Sequence, residues 1–322
     1  MANHSETFNV ILVGFPGLQE KFHILVSVLL FVVYVASLAA NGTVVCLIIV
    51  KEHLHHPMYL TIANLAASDL LFDTLTLPKI IARYWFGSVS MSFSECLFQM
   101  FSVHHLGSMD SFIMMLMAID RYVAICKPLQ YPSIITNKLT GMSCIIGWVI
   151  LTTPSMVPVI LNSQISYCGR NKINGCFCTN IAITLLSCKD ITPTKQLAFG
   201  LAMVVLLVPL FIIIMSYVII IKTIRANHSE NWQKAFYTCA THLIVIVLYY
   251  TPRVFIYTAN QVQLILDPDL NVVILCLYTF IPHIANPVIY CLRNKDIKRI
   301  LGKRLTRHIH VDIKDLSVIT KS

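Results

Sequence analysis

The sequence predicts an all-α membrane protein: a bundle of seven spanning helices, N-terminus outside, with a short amphipathic helix after the last span. Three observations carry that prediction. Seven long apolar stretches run through the chain. Hydrophobic residues make up 57% and charged residues 12%, with a mean hydropathy of +0.73, whereas soluble chains carry about 25% charged residues. The third stretch closes on Asp120-Arg121-Tyr122. That triplet sets a fixed positive charge at a membrane face, where it reads as a docking point or latch rather than a pore lining.

The bilayer is therefore the solvent for most of this chain, and each segment must satisfy its own backbone, so helices are expected. A membrane β-barrel would show short alternating segments instead. The spans are 24–50, 58–82, 96–122, 139–161, 196–221, 235–260 and 270–291, each long enough for the ~20 residues that cross the hydrocarbon. Span 1 carries Asn41. Span 2 carries Asp69 near its middle, with Asp73 one turn above. Span 3 has Asp110 near its middle, and His104, Gly107, Ser108 and Ser111 at i, i+3, i+4, i+7 share one face. His104 lies about 12 Å below Cys96 at ~1.5 Å rise per residue, a depth suited to a pocket. Span 4 holds Trp148, and span 5 holds Phe199, Met203, Leu206, Pro209 and Tyr217. In span 6, Pro252 precedes Arg253, with Tyr250 and Tyr257 at helical spacing. Span 7 holds Cys276, Thr279, His283 and Asn286-Pro287-Val288-Ile289-Tyr290. Residues 1–23 form the outer N-terminus, 24–292 the membrane domain, and 293–322 the amphipathic helix and cytoplasmic tail.

Orientation follows from Lys and Arg near the span ends. With the N-terminus outside, sixteen fall on the cytoplasmic side and seven on the outer. The net charge of +9 is thus largely juxtamembrane, facing anionic lipid and a cytoplasmic partner; nucleic acid is excluded as a partner. Residues 1–22 lack a basic n-region before a short apolar core, so no cleaved signal is expected and span 1 serves as its own insertion signal. Asn3-His4-Ser5 is an outer glycosylation acceptor. The sequons at Asn41 and Asn227 fall in a span and a cytoplasmic loop and are discounted.

Of eleven cysteines, six lie in or at the ends of spans and read as small buried hydrophobes. Cys96, Cys168, Cys176, Cys178 and Cys188 lie outside and are expected to oxidise. Five is odd, so at least one stays free. Disulfides account for this group without zinc at Cys176 and Cys178. The His53, His55, His56 cluster sits in a short cytoplasmic loop and is not read as a metal site. His242 and His283 read as core hydrogen-bonding residues. Ionisable groups within spans are costly and usually functional. Asp69 and Asp110, at one depth, would repel unless a cation or shared proton lies between them. Arg253 either snorkels to the interface or faces the bundle and meets an anionic ligand.

These motifs together resemble the rhodopsin-like (class A) G-protein-coupled receptors, and within them the odorant (olfactory) receptors. The resemblance spans about residues 8–305. Its general marks are Asn41, Leu65-Ala66-Ala67-Ser68-Asp69, Asp120-Arg121-Tyr122, Trp148, Pro209, Tyr217 and the Asn286–Tyr290 run. Its odorant-receptor marks are Leu54-His55-His56-Pro57-Met58-Tyr59, the run from Met117 to Cys126, Ser216-Tyr217, and the run from Lys234 to His242. The resemblance implies Cys96–Cys178 and Cys168–Cys188 bridges with Cys176 left over, and a sodium ion at Asp69 and Asp110 in the resting state. It implies an odorant pocket at His104, Gly107, Ser108, Ser111, Phe199, Met203, Tyr250, Arg253, Tyr257, Cys276 and Thr279. Coupling to a heterotrimeric G protein of the stimulatory, olfactory type falls to Asp120, Arg121, Tyr122, Tyr217, Lys234, His242, Asn286, Pro287 and Tyr290. Two positions depart from the family: Asp110 stands where Glu is common, and Arg253 where an apolar residue is commoner.

Span 7 has no lysine between 270 and 291, which excludes a retinal Schiff base. Val103-His104-His105 offers no acid to hold an amine. Enzyme motifs are lacking, and no cofactor beyond the sodium ion is expected. The expectation is a plasma-membrane receptor for a small odorant. A class A receptor for a small peptide or lipid is the nearer alternative. A membrane transporter is the more distant one, without the paired broken helices or repeats that transporters show.

Overall fold

The computed structural model describes residues 9–87, 90–167, 169–188, 190–226, 232–262, 264 and 266–293, without the side chains of 232–239, 241 and 290–293. Asn3, Cys168, the predicted amphipathic helix and the side chains of Lys234 and Tyr290 lie outside this description. The helices are α1 (His23–Val50), α2 (Pro57–Phe86), α3 (Phe93–Cys126), α4 (Tyr131–Ile134), α5 (Asn137–Ile150), α6 (Thr152–Ser163), α7 (Asn180–Thr184), α8 (Thr192–Ala226), α9 (Trp232–Gln261) and α10 (Pro268–Arg293). Each predicted span has its helix, a few residues longer at the ends, and the fourth is split into α5 and α6 at Leu151.

Among the described residues six stretches are long and apolar enough to cross a membrane by length and composition: Glu20–Val50, Pro57–Phe86, Asn137–Ser163, Thr192–Ala226, His242–Gln261 and Pro268–Ile289. Their outward faces are apolar: Ile24 is 69% exposed and Phe211 65%, while Asp69, Asp73 and Asp110 are buried. Apolar outside and polar inside is the pattern of a lipid-facing surface. The third predicted span, α3, is not among the six. It is 34 residues long, yet it buries Gln99, Ser102, His105, Asp110, Ser111 and Asp120. Packed against α2, α5, α6 and α8, it has protein rather than lipid as its main environment and tolerates that polarity.

Local chemistry sets the helix ends. A capping box starts α3, with the Ser92 Oγ accepting from the Glu95 N–H and the Glu95 carboxylate accepting from the Ser92 N–H. Thr136 caps α5 and Thr179 caps α7. Proline places a specific contact inside α10: Pro287 has no N–H, so the His283 carbonyl lacks its helical donor. Asn41 Nδ2 of α1 donates to that carbonyl at 3.0 Å instead.

The all-α expectation needs one correction. A three-stranded sheet of order β2-β1-β3 closes one end of the bundle, with β1 (Asn9–Leu12) antiparallel to β2 (Ser90–Ser92) and parallel to β3 (Lys172–Ile173). Val10 and Leu12 alternate inward and pack with Met91, Cys96, Ile173 and Cys178. The N-terminal segment is held beyond the strand as well. The Phe15 N–H donates to Tyr84 Oη at 2.9 Å, and the Asp269 carboxylate accepts from the Gly17 N–H at 3.0 Å. Gly14 has φ +76° and lies against Tyr84, where a Cβ would collide, so both conformation and space require glycine.

Candidate functional site

A cavity of about 390 Å³ lies under the segment 174–185 and among α3, α8, α9 and α10. α3 presents His104, Gly107, Ser108 and Ser111 to it; α8 presents Lys195, Phe199 and Leu206; α9 presents Tyr249, Arg253 and Tyr257; α10 presents Leu275, Tyr278 and Thr279. The roof is fixed covalently. Cys96 at the start of α3 is disulfide-bonded to Cys178, with Cα atoms 5.5 Å apart. The Cys178 N–H also donates to Gln99 Oε1 at 2.9 Å, and Gln99 Nε2 donates to the Leu75 carbonyl at 2.7 Å. Phe177 lines the cavity from above, its ring centroid 5.6 Å from that of Phe72.

Arg253 is 8% exposed. Its guanidinium lies 3.8 Å from the Tyr249 ring centroid and 5.3 Å from that of Tyr278, a cation–π arrangement. It rests on Gly107, where an added Cβ would stand 3.3 Å from Nη1. Two further contacts clamp α9 to α3 nearby. Tyr249 Oη donates to the Gly107 carbonyl, and the Tyr250 and Ser111 hydroxyls share a hydrogen bond of 2.6 Å. Three buried polar atoms on the cavity wall have no hydrogen-bond partner among the described residues: Arg253 Nε, His104 Nε2 and Thr279 Oγ1. Lys195 brings a second cation, at the exposed rim. Among the described lining residues there is no carboxylate.

Of the residues predicted for this pocket, His104, Gly107, Ser108, Ser111, Phe199, Arg253, Tyr257 and Thr279 line the cavity. Met203, Tyr250 and Cys276 do not. Met203 falls beside the stripe of Phe199, Ala202 and Leu206. Tyr250 turns to Ser111, and Cys276 turns to Cys176. Sequence reasoning missed Lys195, Tyr249 and Tyr278. Thr192-Pro193 is a helix-start signal, reinforced by the Asp190 carboxylate accepting from the Thr192 N–H and Oγ1 at 2.9 and 2.6 Å. Those bonds hold the Asp190 carboxyl below its usual range. Read so, the signal puts Lys195 in the first turn of α8. Tyr249 and Arg253 are i, i+4 neighbours on α9; Tyr278 had no local signal.

Beside the cavity lies a buried polar core. His283 Nδ1–H donates to Asp73 Oδ1 at 2.7 Å, and Ser37 Oγ–H donates to Asp73 Oδ2 at 2.5 Å. Asn41 Nδ2 donates to Ser37 Oγ at 3.1 Å, and Asn286 Nδ2 to Asp69 Oδ2 at 3.1 Å. His283 Nε2 then faces Asp69 Oδ1 at 3.5 Å and Asp110 Oδ2 at 3.9 Å. Asp69, Asp110 and His283 bring ligand atoms within 4.8 Å of one another, and no other such group of three forms among the described residues. With Nδ1 donating, acceptor lone pairs converge there, which a proton, a metal cation or another hydrogen-bond donor would relieve. His53, His55 and His56 do not converge; His55 Nε2 lies 3.0 Å from the Ile48 carbonyl.

At the opposite end of α3, Asp120 accepts from Tyr131 Oη at 2.8 Å, and Arg121 reaches Met58 Sδ on α2. Burial and the Asp120 carboxylate push the Tyr131 hydroxyl well above its usual range, so it stays a donor. Tyr217 is buried with Ala118 against α3, and Tyr122 packs on the same cluster. His242 is buried on α9, Asn286 on α10, and Pro287 lies inside α10.

The family described as Olfactory receptor matches residues 30–308. The chain is 35% identical over 299 residues to Olfactory receptor 2AT4 of Homo sapiens, covering 92% of each chain. It is 38% identical over 292 residues to Olfactory receptor 56B34 of Mus musculus, covering 89% of each. With Olfactory receptor 6B1 of Homo sapiens it shares 35% identity over 303 residues, 94% of this chain and 96% of the relative.

Proposed function

This chain belongs to the olfactory receptor family, a family of membrane receptors and not of enzymes, and from that premise we propose that it detects a small organic acid with an apolar body. One observation carries the ligand class: a closed-roofed cavity with two cations, Arg253 and Lys195, and no carboxylate among its described lining residues. A carboxylate or sulfate would pair with Arg253 through charge-assisted bonds, while Phe199, Leu206, Ile256 and Val272 take the apolar body. His104 Nε2 and Thr279 Oγ1 offer further polar contacts.

The roofed end faces outward, α3 completes a seven-span bundle, and the Arg121 end faces the cytoplasm. Binding would draw Arg253 off the Tyr249 ring and loosen the Tyr249–Gly107 and Tyr250–Ser111 contacts. Those contacts tie α9 to α3, and Pro252 supplies a hinge beside them. α9 then swings at its cytoplasmic end, shifting an existing equilibrium. A stimulatory, olfactory-type G protein docks at Arg121, with Asp120 released from Tyr131. A sodium ion between Asp69 and Asp110 favours the resting state.

The test is a cAMP reporter in cells expressing the receptor, with matched acids, alcohols, aldehydes and amino acids. Acids should be the potent agonists. Arg253→Met should weaken them by ~1.5–3 kcal/mol, roughly ten- to a hundredfold, at normal surface level. Equal losses for acidic and neutral agonists would reject the ligand class.

A further inference from the structure

We propose that Cys176 and Cys276 form a disulfide that ties the cavity roof to α10. Their Sγ atoms stand 2.9 Å apart across 100 positions of sequence, a small side-chain rotation from the bonded distance of about 2.05 Å. Cys176 is fully buried and packs in the cluster that holds Phe72, Phe177, Leu275 and Phe280. The pair lies at the roofed end, beside the Cys96–Cys178 bridge. Outer cysteines left Cys176 without a partner because the partner belongs to a span.

The chemistry balances as thiol–disulfide exchange. One thiolate attacks a disulfide oxidant of the secretory compartment and displaces one of its sulfurs as a thiolate. The second cysteine thiolate then attacks the mixed disulfide and releases the other. Two protons leave the cysteines, the S–S bond forms, and the oxidant is reduced to two thiols. The step occurs during folding, before the roof closes over Cys176.

The consequence is a three-residue strap. Cys178 is bonded to α3, Cys176 would be bonded to α10, and Phe177 between them lines the cavity. The two bridges would fix the roof to opposite walls and leave the apolar ring of Phe177 pressed between Phe72 and Phe280, with centroids at 5.6 and 6.3 Å.

Peptide mapping of the purified full-length receptor decides the matter. The protein is alkylated with N-ethylmaleimide in denaturant without reductant, digested and analysed by mass spectrometry. With trypsin, the expected product is one species joining four peptides: those of Cys96, of Cys168, of Cys176 with Cys178 and Cys188, and of Cys276. In Cys276→Ser the species should lose the Cys276 peptide and keep the other three, with Cys176 alkylated. Alkylated Cys176 and Cys276 in wild-type protein that keeps Cys96–Cys178 would overturn the proposal. So would a bond from Cys176 to any other cysteine. If the variant fails to fold, the wild-type map still decides.

Discussion

Two buried polar regions sit side by side on α3, and they are built on opposite principles. Around Asp110 the bundle gathers carboxylates and partners two of them from within, His283 and Ser37 for Asp73 and Asn286 for Asp69, while among the described residues neither Asp110 oxygen has a hydrogen bond. Around Gly107, three residues earlier, it gathers Arg253 and His104, with no carboxylate among the described lining residues. Among the described residues Arg253 makes no salt bridge and stacks on the rings of Tyr249 and Tyr278. Burying a charge is expensive unless it is paired, so the bonded Asp73–His283 pair reads as structure and the cavity as a place kept for something that arrives. The deficits are also opposite in sign. The core is short of positive charge, which a proton or small cation can supply, and the cavity is short of negative charge, which needs an anion.

If that contrast holds, the two regions answer truncation differently. Asp73→Ala strips His283 Nδ1 and Ser37 Oγ of their acceptor, and breaking such a buried pair typically costs 3–5 kcal/mol. The thermal stability of purified Asp73→Ala should fall accordingly. Arg253→Met should stay close to wild type, because losing the stacking, ~0.5–2 kcal/mol, is offset by relieving an unpaired buried charge. The reverse ranking would break the distinction.

The core's own deficit gives a second, smaller effect. Replacing extracellular sodium with a large organic cation should raise agonist potency about fivefold or more, within the range of ordinary coupling energies. Asp69→Asn should abolish the difference. Sodium-independent potency in the wild type would leave a proton, held with His283, as the charge that completes the core.

The spans were legible because a bilayer demands ~20 apolar residues per crossing, and few sequences meet that by accident. The N-terminal strand was not, since Val10 and Leu12 are its only buried alternating pair. The cavity face of α3 was legible from helical spacing, because one element carries His104, Gly107, Ser108 and Ser111. What spacing cannot reveal is partnership between elements. His283 lies 210 positions from Asp73, and nothing local marks it as the residue that enters the carboxylate cluster. Tyr278 against Arg253 and Cys276 against Cys176 are the same case. Tyr250 shows the converse error: its i, i+3 spacing suggested company for Arg253, while the i, i+4 neighbour Tyr249 provides it.

The smallest effect probes the edge of the contrast, where the cavity meets solvent. Lys195 lines the cavity from the first turn of α8 and is exposed, so water and salt screen it in a way they do not screen Arg253. Interactions of exposed charges are worth ~0.2–1 kcal/mol, which limits Lys195→Gln to a two- to fivefold loss of potency for an acidic agonist. The loss should lie mainly in association rate, since a rim charge steers an anion inward rather than holding it. It should shrink as ionic strength rises, because the screening length at physiological salt is only about 8 Å. The Arg253→Met loss should be nearly independent of salt. Agonist kinetics in Lys195→Gln, measured at two ionic strengths, separate the roles. A salt-insensitive loss of tenfold or more would make Lys195 a direct partner of the bound ligand and move the anion site from Arg253 to the cavity mouth.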